Sequence, residues 1–223
     1  MGYSLLVHTA IGSTDTNGVT TAAVDTTGAD LIVATIAYFN GGTGNVFSDS
    51  KGNSWSQLTD RTAGDGARIR TFYSQSPATV GTGHTFTFSG TGNFPSLAIA
   101  AFRGSLASPF DVENGTTASS VTSLATGNIV PSQDNELIIA ALASNLATDT
   151  ATIDSGMTTT DVIAWASSAH VGVGLAYKIQ TTAAAINPTW SWTNAMNAAV
   201  EVASFEASPV GTTAAVRQLF VFP

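Results

Sequence analysis

The chain has 223 residues, of which 43% are apolar, 10% are charged and none is cysteine, and its formal net charge is −8 at pH 7. Seven basic residues are too few to neutralise a phosphate backbone or to hold an anionic lipid surface, so neither nucleic acid nor membrane is expected as a partner. Without cysteine there are no disulfides and no thiolate metal sites.

The opening stretch, MGYSLLVHTAIG, lacks a basic flank and a long apolar run; it does not read as a secretory leader, and synthesis in the cytoplasm is expected. DTNG at 15–18 is a turn signal. LIVATIAYF at 31–39 is almost continuously apolar, as a strand buried on both faces would be. The turns FNGGTGN (39–45) and SKGN (50–53) follow, then an alternating strand RIRTFY at 68–73. TFTFS (85–89), LAIAAF (97–102), LIIAAL (137–142), VGVGLAYKI (171–179) and VEVASF (200–205) complete the strand series. No stretch sustains a 3.6-residue period with caps. These elements predict an all-β protein, an antiparallel β-sandwich of jelly-roll type.

The chain also repeats itself. TGADLIVATIAYF aligns with SQDNELIIAALAS, placing Leu31 opposite Leu137. Tyr73 then meets Tyr177, Phe86 and Phe88 meet Trp190 and Trp192, and Phe102 meets Phe205, an offset that stays near ~105 residues, as a duplication leaves it. This predicts one domain over 1–206, made of two pseudo-repeated halves at about 4–103 and 110–206 that share one core. PTWSWT (188–193) then reads as the inside of a strand: residues two apart face one way, and large rings fill such interiors. Residues 207–223 have no counterpart. They are read as a C-terminal arm, with Val216, Leu219, Phe220, Val221 and Phe222 fastening onto a sheet edge of the same subunit or of a neighbour.

Few residues are candidates for chemistry. Asp111 and Glu113 stand two apart and would share a strand face; a glycosidase needs two carboxyls facing each other across a cleft. DTNG and DSKGN carry oxygen ligands beside glycine but lack the calcium-loop spacing, and Asp and Asn before Gly are ordinary turn formers. His8, His84 and His170 have no metal-ligand spacing, and the last two are expected at the rim of the fold. No catalytic residue, metal or cofactor is assigned. Trp55 and Trp165 do not match each other in the repeat. They cap the ends of the core or stack on a sugar.

The order ADLIV, DSKGNSW, FYS, HTFTFSG, SPFD, NELIIA and LAYKI resembles jelly-roll-like β-sandwich modules of tailed-phage structural proteins and of environmental bacterial surface proteins. The resemblance covers about residues 20–206 and carries no catalytic residues. It implies a non-enzymatic structural or decoration protein of a bacteriophage particle. Such a protein would be located in the virion and packed as a symmetric homo-oligomer against other virion proteins. The alternative is an extracellular adhesin module that binds a surface glycan or host receptor. A third reading, a glycoside-cleaving enzyme, requires Asp111, Glu113 or another carboxylate pair to face each other across a cleft.

Overall fold

The computed structural model describes residues 2–64, 66–145 and 151–209. Among them are no helix and fifteen strands. The first half contributes β1 (Ser4–Gly12), β2 (Asn17–Thr20), β3 (Leu31–Phe39), β4 (Thr43–Asp49), β5 (Ser56–Gln57), β6 (Arg61–Thr62), β7 (Ala67–Gln75), β8 (Phe86–Thr91) and β9 (Ser96–Arg103). The second contributes β10 (Ser105–Ala125), β11 (Glu136–Asn145), β12 (Thr152–Ile153), β13 (Thr158–Ile163), β14 (Gly172–Gln180) and β15 (Thr189–Ala207). The proposed arm residues Val216, Leu219, Phe220, Val221 and Phe222 lie outside the described residues.

All strand pairs are antiparallel, and the two halves share one plan. The first half has a large sheet ordered β1-β9-β3-β7-β5, with β6 also on β7, and a small sheet ordered β2-β8-β4. In the second half the order β10-β15-β11-β14-β13 repeats the large sheet strand for strand, and β12 pairs with the start of β15. The small sheet is not separate here. The ends of two long strands supply it: β15 runs unbroken for 19 residues and contains neither Gly nor Pro. In the first half the chain leaves the sheet where Gly92 (φ 68), Phe94 (φ 46) and Pro95 intervene between β8 and β9. Proline cannot donate to a ladder, and both positive-φ residues turn the chain out of the pleat.

The apolar run of β3 is explained by burial on both faces. Leu31, Val33 and Ala37 point into a central core that also holds Leu137, Ile139, Ala141 and Phe205 of the second half. Ile32, Ala34, Ile36 and Tyr38 point the other way, onto Phe86 and Phe88 of the small sheet. The second half does the same, with Leu142, Ala176, Val200, Trp190 and Trp192 in its outer core. The molecule is therefore layered: small sheet, large sheet, large sheet, small sheet. The expected shared core is the middle layer. The matched rings at 86, 88, 190 and 192 do not fill it; Phe86, Phe88 and Trp190 are fully buried, and Trp192 nearly so, inside each half's own sandwich.

Different aromatics join the halves. Tyr73 meets Phe205 edge-on at 5.3 Å, and Phe102 meets Tyr177 at 5.4 Å. Because Tyr73 matches Tyr177 and Phe102 matches Phe205, each contact is the other's mirror in the repeat. This reciprocity is what a two-fold axis imposes on an interface.

A candidate site at the junction of the halves

Several sequence candidates are placed by the fold as structural groups. Asp111 and Glu113 do not share a face. The ladder slips between Phe110 and Glu113, and a bulge re-aims the side chains it displaces. Asp111 accepts hydrogen bonds from the Ser132 amide (2.9 Å) and the Ser204 hydroxyl (3.2 Å) on the outer side. Glu113 reaches across the junction, where it accepts the Thr59 amide and hydroxyl. His84 is not at the rim. It is fully buried, stacked on Phe86 at 4.3 Å, hydrogen-bonded through Nδ1 to the Thr26 hydroxyl and 3.5 Å from Asp49. Burial holds its imidazole below the usual range, and the Asp49 charge offsets part of this.

The turn carboxylates bond the local backbone. Asp15 accepts the Asn17 amide at 2.7 Å. Asp49 accepts the Lys51 amide at 2.7 Å and the Trp55 indole N–H at 2.8 Å. Burial alone would raise the Asp49 carboxyl. The amides of Asn53 and Lys51 and the Trp55 indole outweigh it and keep Asp49 below the ordinary carboxylate range. Among the described residues no three His, Asp or Glu side chains are grouped so as to hold a metal ion. Trp55 itself is half-buried and packs edge-on against Phe47 (4.8 Å) and Phe86 (6.1 Å). It caps the outer core of the first half.

Trp165 is placed differently. It stands at a cleft of about 190 Å³ between the halves, where β3 and β11 both end. The first half supplies Phe39 and Phe94, and the second supplies Asn145, Trp165, Ser168 and His170. Each wall has a local cause. Phe39 ends β3 with 36% of its surface exposed, next to Phe94 at 6.3 Å. Its ring lies between Gly41 and Gly66; a methyl group on either would come within 2.5 or 2.8 Å of it. Phe94 sits on the loop that interrupts the first half's strands, and its carbonyl accepts the Val171 amide at 2.8 Å. On the opposite wall a tight turn closes from the Ala166 amide to the His170 carbonyl at 3.0 Å. It carries Trp165 just before it and Ser168 at its tip, with φ of 60°.

His170 fastens the two walls. Its Nδ1 lies 2.8 Å from the Ser13 carbonyl of the first half and its Nε2 lies 3.0 Å from the Ala164 carbonyl of the second. Its ring lies flat on Gly12, where a methyl group would come within 2.6 Å. Phe94 and Ser168, one on each wall, are non-glycine residues in the left-handed region. Each such residue costs on the order of 1–3 kcal/mol and is held there by its surroundings. The sequence signal for this cleft was the unmatched Trp165. Phe39, Phe94 and Ser168 gave none, because turns and a strand end bring them together.

No protein-family model matches the chain, and neither a curated protein nor a solved structure shows significant similarity to it.

Proposed function

We propose that this chain is a non-enzymatic structural module of a particle surface, of the kind that decorates a bacteriophage virion, working through lateral packing of its subunits. The observation that carries the reading is the chemistry of the outer faces. On the small sheet of the first half, Val19, Phe86 and Phe88 point inward while Thr20, Ser48, Thr87, Ser89 and Thr91 point outward, with Thr20 and Thr87 hydroxyls 2.9 Å apart. In the second half, Ser123, Thr152 and Ser191 lie side by side on the matching surface. These outward strand residues are hydroxylated and uncharged, with the exposed Val46 beside Ser89 as an apolar member of the first half's face. Covering them against a neighbour desolvates no ion, which is the costly part of burying a protein surface. The acid and base side chains considered for catalysis are already engaged in holding the fold: Glu113 on Thr59, Asp111 on Ser132 and Ser204, and His84 inside the outer core.

The test is to replace Thr20 and Thr87 by lysine and follow the mass of the particle by sedimentation. The native chain should form a concentration-dependent oligomer, and the charged variant should stay monomeric with unchanged secondary structure. A native chain that is monomeric at all concentrations, alone and with purified particles, overturns the reading. A second reading, a glycan-binding surface module, is favoured by the aromatic cleft at Trp165.

A further inference from the structure

We infer that the cleft between the halves is a binding site for one ring of a neutral saccharide. This deepens the glycan-binding reading and is independent of lateral packing, since the cleft lies at the junction of the halves and not on the hydroxylated outer faces.

Three observations fix the ligand class. First, among the described residues the lining contains no Asp, Glu, Lys or Arg, and the nitrogens of His170 already face two backbone carbonyls. The described lining therefore offers no carboxylate, ammonium or guanidinium to pair with a charged ligand. Second, the walls present aromatic rings from both halves: Phe39 and Phe94 on one side and Trp165 on the other. Aromatic faces are electron-rich, and the C–H face of a pyranose is slightly electropositive, so the two lie flat against each other. Third, polar groups remain for the hydroxyls of the same ring. The Trp165 indole N–H and the Ser168 hydroxyl make no hydrogen bond to the described residues, whereas the indoles of Trp55 and Trp192 are engaged by Asp49 and by the Val121 carbonyl. A ligand with one apolar face and a rim of hydroxyls answers all three.

Size sets the length of the ligand. About 190 Å³ is below the ~300–1,000 Å³ of sites that enclose drug-sized molecules. The cleft therefore takes a single ring, such as the end of a chain, with the rest in solvent. The walls are also held in place before any ligand arrives. Phe39 is wedged between Gly41 and Gly66, and the Trp165 turn is tied to the first half through His170. Such pre-organisation lowers the ordering cost of binding.

The indole N–H resonances of the four tryptophans provide the test, because each reports one place in the molecule. The resonance missing from the spectrum of Trp165→Phe identifies Trp165. Methyl glycosides of glucose, galactose and mannose, and N-acetylglucosamine, are titrated into the full chain. At least one should move the Trp165 resonance with a dissociation constant near ~1 mM and leave those of Trp55, Trp190 and Trp192 in place. Phe39→Ala and Trp165→Ala should each weaken that sugar at least about tenfold, a loss of one aromatic face. Their remaining indole resonances should stay at native positions, which shows that the fold persists. If no sugar moves the Trp165 resonance up to ~50 mM, or if phenol moves it and every sugar fails, the inference is overturned. A sugar that binds equally well to Trp165→Ala also overturns it. None of these results depends on whether the subunits assemble, so failure of the packing reading is seen separately, by sedimentation.

Discussion

The two halves of this molecule have the same backbone frame and fill it differently. In the first half Tyr38 pairs with Arg68 and Ile36 with Arg70. At the matching places of the second half Ser144 pairs with Gly172 and Leu142 with Gly174. Arg68 and Arg70 both bind Asp60, and their guanidinium groups lie over the Tyr38 ring at 5.9 and 5.4 Å. Where the second half has glycine, indoles and their backbone move in. A methyl group on Gly174 would meet the Trp190 ring at 3.0 Å, and one on Gly172 would meet the Trp165 amide at 2.9 Å. Large ring and absent side chain on one side answer smaller ring and long side chains on the other. The structural consequence is that the turn that carries Trp165 folds close to its sheet, where it borders the cleft between the halves.

The largest test of this comparison is on the outer cores. Trp190→Ala should cost roughly 3–5 kcal/mol in chemical denaturation, and Phe86→Ala at the matching place a similar amount. Trp190→Phe should cost far less, since it installs the ring the other half uses and removes a buried indole N–H that has no partner among the described residues. If Trp190→Ala costs under ~1 kcal/mol, the equivalence of the two outer cores is wrong.

A second test concerns the middle layer, where Glu201 holds the position that Ala98 holds in the first half. Burial pushes the Glu201 carboxyl up to about 7, and the charge of Arg61 offsets only part of this. The native state thus holds a proton that the unfolded chain releases near pH 4.5. The contribution is whole below that pH and is lost as pH rises through about 7, worth roughly 3 kcal/mol for this fully buried group. Asp49 and Asp60 act in the opposite sense. For Asp60, burial is outweighed by bonds to Arg68 and Arg70, so both carboxyls are held below their ordinary range and their contribution fades in acid. Stability should be greatest near pH ~5, and Glu201→Gln should flatten the decline above it while leaving the acid side unchanged. A decline of the same slope in Glu201→Gln would show that another group is responsible.

The smallest effect is expected at Trp55. Trp55→Phe keeps the ring against Phe47 and Phe86 and loses the hydrogen bond to Asp49, for about 1 kcal/mol. The Asp49 carboxyl should then titrate at higher pH by NMR. An unmoved Asp49 would mean that the backbone amides alone set it.

Much of the fold was legible because strands announce themselves by burial. Residues 31–39 were read as one strand, and β3 has those bounds, since both of its faces are covered. The repeat was legible for the same reason: Leu31 and Leu137, Tyr73 and Tyr177, and Phe102 and Phe205 had to stay apolar to fill corresponding places. The face shared by Asp111 and Glu113 was misread because a bulge is a register event between strands, invisible along one strand. His84 was misplaced because its burial depends on Thr26 and Asp49, 58 and 35 residues away.

The sequence by itself determined the strand class, the duplication and the inward direction of the rings at 86, 88, 190 and 192, because each follows from local periodicity and from likeness between two stretches. Only the tertiary structure decided that those rings fill two outer cores and not the middle one, and that Phe39, Phe94, Trp165 and Ser168 meet at one cleft. Those outcomes depend on which sheet face packs on which and on where four separate stretches end in space, and no pattern within one stretch encodes the distance to another.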